Sequence, residues 1–208
     1  MIYATPLPEN EAPEAVQQTY GRIKEFFGTD TVPEVFLPFG RVESFLKDVY
    51  MNSKKFVFSA GKLDLKSKMA IAFAVAVYAK SNAWKDFFAE RAKLSELTET
   101  QLTEICALIG ANSLYNTFFK FRDLSGSTIF DGMPVGLRAH VFVGTSFDTK
   151  MVELINTVIS NLNACKPCTS GHVTKARNLG ITDDELLEAI QCGATVYSMT
   201  QFYNAVGL

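Results

Sequence analysis

The sequence predicts an all-α protein in which one helical unit is used twice, and three observations carry that expectation. Apolar residues recur at helical spacing, as in Val16, Tyr20, Ile23 and Phe27, which fall on one face of a helix. Two capping boxes stand in the chain, Thr98-Glu-Thr-Gln101 and Thr182-Asp-Asp-Glu185. In each, a hydroxyl accepts from a backbone N–H three residues on, and the Gln or Glu reaches back. Finally, residues 63–120 slide forward by 84 positions onto 147–204 without a gap. Asp64 then meets Asp148, Lys66 meets Lys150, Ile71 meets Ile155 and Ala92 meets Ala176. Thr98 meets Thr182, Leu102 meets Leu186, Glu104 meets Glu188 and Phe118 meets Phe202. The expected division is an N-terminal helical arm (1–60), a first repeat (63–122) and a second repeat (147–206), all in one domain.

In order, residues 1–10 read as an extended, Pro-punctuated lead-in. Pro13 suits the first turn of a helix that runs to Phe27 and is ended by Gly28. Val32 to Pro38 suggests a short helical turn, and a helix spans about Val42 to Phe58. Leu63-Asp-Leu-Lys-Ser-Lys opens a very apolar helix through Ala79, expected to be buried on all sides. Helices follow over about Ala83 to Leu94, from Thr98 onward, and over about Ala111 to Phe121. Asp123 to Ser146, rich in Gly, is expected to be a long connection. A helix from Phe147 to Leu162 precedes another to Asn178, which Leu179-Gly180-Ile181 closes as a glycine cap. The last helices run to Val206.

Composition excludes several functions. A net charge of -2 gives no basic surface for nucleic acid or an anionic membrane. The most apolar run, Met69 to Ala79, is far short of the roughly 20 residues that cross a bilayer. Four cysteines in 208 residues are too few for a disulfide scaffold. The start of the chain shows no basic and apolar leader pattern, so the expected setting is reducing and cytoplasmic.

One stretch is chemically loaded: Asn163-Ala-Cys-Lys-Pro-Cys-Thr-Ser-Gly-His172. Cys165, Cys168 and His172 stand three and four residues apart and would share one helical stripe. Two thiols so spaced can close a disulfide, hold a metal or be small core residues. Tetrahedral zinc needs further ligands that this stretch does not supply, so no metal is assigned. A helix N-terminus lowers a thiol pKa from about 8.5 and favours the nucleophilic thiolate. His172 can take a thiol proton or give one to a leaving oxygen. Glu153, 12 residues before Cys165 in an apolar helix, is either a buried carboxylate suited to proton relay or an exposed one. In the first repeat the matching positions are Ser81, Trp84, Phe88 and Met69, so the chemical groups belong to the second copy alone. Cys106 and Cys192, in apolar helical contexts, are expected to be structural, and His140 has no assigned role.

Glu153, Cys165-Lys-Pro-Cys168 and His172 together resemble the E-(11)-C-x-x-C-x-x-x-H signature of AhpD-type alkylhydroperoxidases in the carboxymuconolactone decarboxylase superfamily. Val32-Pro-Glu-Val-Phe36 and the helix starts at Leu63-Asp64 and Phe147-Asp148 are also similar to it. The resemblance implies an AhpD-like fold with the C-x-x-C in the second repeat. It implies a thiol peroxidase in which Cys168 attacks a hydroperoxide, Cys165 resolves the sulfenic acid to a disulfide, and Glu153 and His172 relay protons. It further implies no cofactor, a dithiol reductant (a lipoyl-bearing protein or thioredoxin-like donor), a peroxiredoxin partner, and a trimer or hexamer. Pro167 departs from the pattern, since many members carry a His there. A disulfide reductase, a redox-sensing interaction protein and a lactone decarboxylase are the rival expectations.

Overall fold

The computed structural model describes residues 4–208; the first part of the expected lead-in lies outside the described residues. Among the described residues there are eight α-helices, in order α1 Glu14–Phe27, α2 Glu43–Asn52, α3 Leu65–Tyr78, α4 Asn82–Leu94, α5 Glu99–Leu124, α6 Thr149–Leu162, α7 Lys166–Asn178 and α8 Asp183–Val206. Among the described residues there is no strand. α3 and α6 form the centre, packed on each other and each on α5 and α8. From Met69 to Ala76 every residue of α3 is buried, and so is every residue of α6 from Val152 to Ser160.

Three boundaries differ from expectation. The last helices, expected to run to Val206, are the single helix α8. The separate helices expected after Thr98 are one helix, α5, with Gly110 in its interior. An interior glycine costs about 1 kcal/mol relative to alanine. Burial of Leu108, Ile109 and Asn112 around it outweighs that cost. The helix expected to reach Phe58 is α-helical to Asn52 and then widens into a π-turn over Ser53–Val57. The connection before α6 contains two short 3-10 turns, Thr128–Phe130 and His140–Phe142.

Helix starts at 65, 82 and 99 recur at 149, 166 and 183, each 84 residues on. Their caps recur as well. Asp64 and Asp148 each accept from the N–H three residues on, and both capping boxes form. At the helix ends, the left-handed residues Lys80 (φ 57°) and Glu96 (φ 64°) recur as Ala164 (φ 52°) and Gly180 (φ 80°). Each lies in a Schellman turn, as in Leu97 N–H to Ala92 O and Ile181 N–H to Ala176 O, both 3.0 Å. Gly180 adopts that backbone without the Cβ strain that Glu96 bears. We read this recurrence as one three-helix unit used twice.

The arm folds onto the first unit. Phe36 and Phe39 pack on Trp84 at 5.6 and 5.9 Å between ring centroids, and Phe27 packs on Phe87 at 6.3 Å. Across the units, Lys68 of α3 is fully buried and donates to Ser59 O (2.6 Å) and to Glu188 of α8 (2.8 Å). Glu188 also accepts from Leu63 N–H at 2.7 Å. The carboxylate comes so close to Gly61 that a Cβ there would lie 2.1 Å from Glu188 Oε1.

Burial pushes the Glu188 carboxyl up, but the Lys68 ammonium and the Leu63 N–H outweigh it and hold it below its ordinary value of 4.5. Its ionised form therefore stabilises the fold fully above that value, and this is lost as pH falls through the lowered folded value. Removing one partner of a buried pair leaves the other charge uncompensated, at about 3 kcal/mol or more. Urea unfolding at neutral pH is expected to show that loss in Glu188→Gln. The gap to wild type should narrow as pH drops below 4.5.

Candidate redox site

The site is assembled at the turn between α6 and α7. Ala164 takes the left-handed conformation and Cys165 N–H reaches back to Ser160 O at 3.1 Å, which reverses the chain within a few residues. Cys165 is thereby the N-cap of α7 rather than a residue within it. The expected single stripe is modified accordingly: Cys168 and His172 are one turn apart on α7, and Cys165 stands at its mouth. Pro167 occupies the first turn of α7. Its missing N–H is one of those with no intrahelical partner, so proline fits without loss of a helix hydrogen bond.

Cys165 and Cys168 are joined as a disulfide with a Cα–Cα distance of 5.3 Å. The two sulfurs differ in access. Cys165 is 0% exposed, whereas Cys168 is 8% exposed and lines a pocket of about 400 Å³. Cys168 also lies in the first turn of α7, where unpaired N–H groups favour negative charge.

Glu153 is buried in the middle of α6, and its Oε2 lies 2.6 Å from His172 Nδ1. Of the two expectations for this residue, the structure has the buried carboxylate. With Glu153 ionised, and so only an acceptor, Nδ1 donates to it and Nε2 is left as the basic nitrogen. Among the described residues Nε2 forms no hydrogen bond within the protein. The four expected residues are thus gathered by α6 and α7 alone.

The other pocket residues come from elements that sequence reasoning did not connect to the site. Tyr115 and Phe119 stack along α5 at 6.1 Å, and Tyr115 Oη donates to Leu137 O at 2.9 Å. Phe142, from the connection, stands 6.4 Å from the His172 ring. Gly171 and Lys175 complete one wall. Lys175 follows His172 by one helical turn, a spacing visible in the sequence; the α5 pair is an ordinary i, i+4 aromatic stripe with no chemical label.

The remaining cysteines separate. Cys192 is buried, and burial pushes its thiol up to about 12. Cys106, expected to be structural, is exposed on α5. Among the described residues no group of three or more His, Cys, Asp or Glu is placed to hold a metal ion, and no helix is long and apolar enough to cross a membrane.

Residues 131–208 match the model of the carboxymuconolactone decarboxylase family. The chain is 26% identical over 159 residues to an alkyl hydroperoxide reductase AhpD of Solibacter usitatus, covering 76% of this chain and 88% of that protein. It is 21% identical over 163 residues to the AhpD of Coxiella burnetii, covering 77% and 92%. In fold it is similar to the crystal structure of an AhpD-core, uncharacterized peroxidase-related protein from Ralstonia eutropha. The TM-score is 0.55 at 14% identity, over 100% of this chain and 91% of that one. In its helical frame, in the C-x-x-C of the second half and in residues 131–208, the chain is thus similar to AhpD-like proteins of the carboxymuconolactone decarboxylase family.

Proposed function

We propose that the protein is a thiol-dependent peroxidase that reduces organic hydroperoxides through a Cys165/Cys168 dithiol–disulfide cycle. The observation that carries this reading is the unequal access of the two sulfurs. Cys168 opens on a pocket beside His172, while Cys165 is closed off behind it. An incoming substrate therefore meets Cys168.

In the reduced protein the Cys168 thiolate attacks the distal oxygen of the hydroperoxide. The S–O bond forms as the O–O bond breaks, and the electron pair leaves with the alkoxide. His172, protonated on taking the thiol proton and held by Glu153 at 2.6 Å, returns that proton to the alkoxide. The products are an alcohol and a Cys168 sulfenic acid. Cys165 then attacks that sulfur, water leaves, and the disulfide closes over the 5.3 Å Cα separation. An external dithiol restores both thiols by exchange. The donor is a lipoyl-bearing or thioredoxin-like protein, with a peroxiredoxin as a further partner, in a cytoplasmic setting and a trimeric or hexameric assembly.

The alkyl hydroperoxide reductase names of the relatives support the reading. Pro167 favours a second one, general disulfide exchange, because it stands where many members have an imidazole beside the thiols. Peroxide consumption separates the two.

Cys168→Ser is expected to lower peroxide consumption with a dithiol donor to the uncatalysed background; wild-type turnover in that variant rejects the mechanism at its first step. Cys165→Ser should form one equivalent of alcohol per protein and accumulate a sulfenic acid that dimedone traps, read by mass spectrometry. Glu153→Gln should lower kcat/KM by about 10²-fold or more, the usual contribution of a positioned acid–base group.

A further inference from the structure

The peroxidase reading names no class of organic hydroperoxide, and the inner symmetry of the molecule narrows it. Of the pocket residues, Cys168, His172 and Lys175 have counterparts in the first unit 84 positions earlier, and Phe142 of the connection has one at the end of the arm. Phe58, Trp84, Phe88 and Arg91 precede Phe142, Cys168, His172 and Lys175 by that interval. On α8, Met199 and Tyr203 follow Tyr115 and Phe119 by the same interval, and Tyr203 packs on Trp84 at 5.7 Å. The contacts correspond too: Phe58 lies 6.0 Å from Phe88, as Phe142 lies 6.4 Å from His172.

In the first unit the arm occupies much of this socket and leaves a smaller cavity of about 210 Å³, lined in part by Phe27, Phe58 and Arg91. Phe36 of the arm stands edge-on to Trp84 at 5.6 Å and to Phe87 at 6.2 Å. Arg91 covers the arm's Phe27, its guanidinium 4.6 Å from the ring centroid. The socket thus holds an apolar, aromatic body beneath a cation. In the second unit Gly171 stands where the first has Phe87, and the space remains open beside Cys168. Lys175 takes the place of Arg91, but among the described residues it has neither a carboxylate nor an aromatic face as partner. No acidic side chain lines the pocket.

We propose that the pocket selects organic hydroperoxides with an apolar body and an anionic end, which Lys175 reads. This rests on the peroxidase reading. Lys175 follows Cys168 by seven residues, about 10 Å along the helix at ~1.5 Å per residue. The peroxide oxygen and the carboxylate must therefore be separated by roughly the length of one substituted aromatic ring or a medium alkyl chain. Chemistry at Cys168 is unchanged: the peroxide is reduced to the alcohol, the thiol is oxidised, and the external dithiol supplies the electrons.

The test compares cumene hydroperoxide bearing a para-carboxylate with its para-methyl ester, using dithiol-coupled turnover. Wild type is expected to favour the acid in kcat/KM by about tenfold, the scale of one hydrogen bond to a charged group. The preference should shrink at high salt, since the lysine is exposed. Lys175→Gln should bring the acid-to-ester ratio to about one, Lys175→Glu should reverse it, and Lys175→Arg should keep it. Because the readout is a ratio within each variant, a partly unfolded preparation does not imitate the result. Equal turnover of acid and ester by wild type, or a ratio unmoved in Lys175→Gln, overturns the proposal and leaves the peroxidase reading standing. Absence of turnover with both compounds overturns both.

Discussion

Burial of the middle turns of α3 and α6 is the constraint on which the rest depends. There a polar side chain needs a partner, from its own helix as for Thr157 or from another element. Lys68 on α3 meets Glu188 of α8, and Glu153 on α6 meets His172 of α7. Farther along α6, Asn156 accepts from Asn112 at 2.7 Å, and Ser160 donates to Asn116 at 3.1 Å. Each of these pairs joins a central helix to an outer one. They fix the rotation of the outer helices about the centre, which apolar packing alone does loosely. The redox turn inherits that rigidity, because Ser160 both belongs to this seam and accepts from Cys165 N–H.

The two units show how little separates a structural helix from a chemical one. Backbone geometry is shared down to the left-handed residues at the helix ends. What differs is side-chain content at a handful of positions: Met69, Ser81, Trp84 and Phe88 in one, Glu153, Cys165, Cys168 and His172 in the other. Large aromatic rings in the first unit reduce to about 210 Å³ the space that is about 400 Å³ beside the thiols and imidazole of the second. The arm then covers that aromatic face, with Tyr20 Oη held within hydrogen-bond distance of Leu7 O and Leu37 O.

Much of this was legible in the sequence. Caps, apolar runs and the 84-residue interval mark helix starts and ends because those signals are local, made by residues within one turn of each other. The Glu153, Cys165, Cys168 and His172 set was also legible, since three of its members sit within eight residues of one another. The continuity of α5 through Gly110 was not, because burial on either side decided it. Tyr115, Phe119 and Phe142 as pocket walls were equally hidden: aromatic side chains look alike in sequence whether they fill a core or line a cavity. Cys106 and Cys192 occupy similar apolar surroundings in the chain, yet one faces out and one in, which only the packing of α5 and α8 distinguishes.

The largely occupied aromatic socket of the first unit has a thermodynamic consequence for the second. A cavity of about 400 Å³ is contact energy forgone, whereas the arm supplies many such contacts to the other half at no loss of translational freedom. The chain is, for its first unit, a tethered and permanently bound ligand. Opening fluctuations are therefore expected to be unevenly shared, rarer around Trp84 and more frequent around Cys168. Under the proposed cycle the looser half is the one that carries the thiols, and it is anchored on a half packed by the arm.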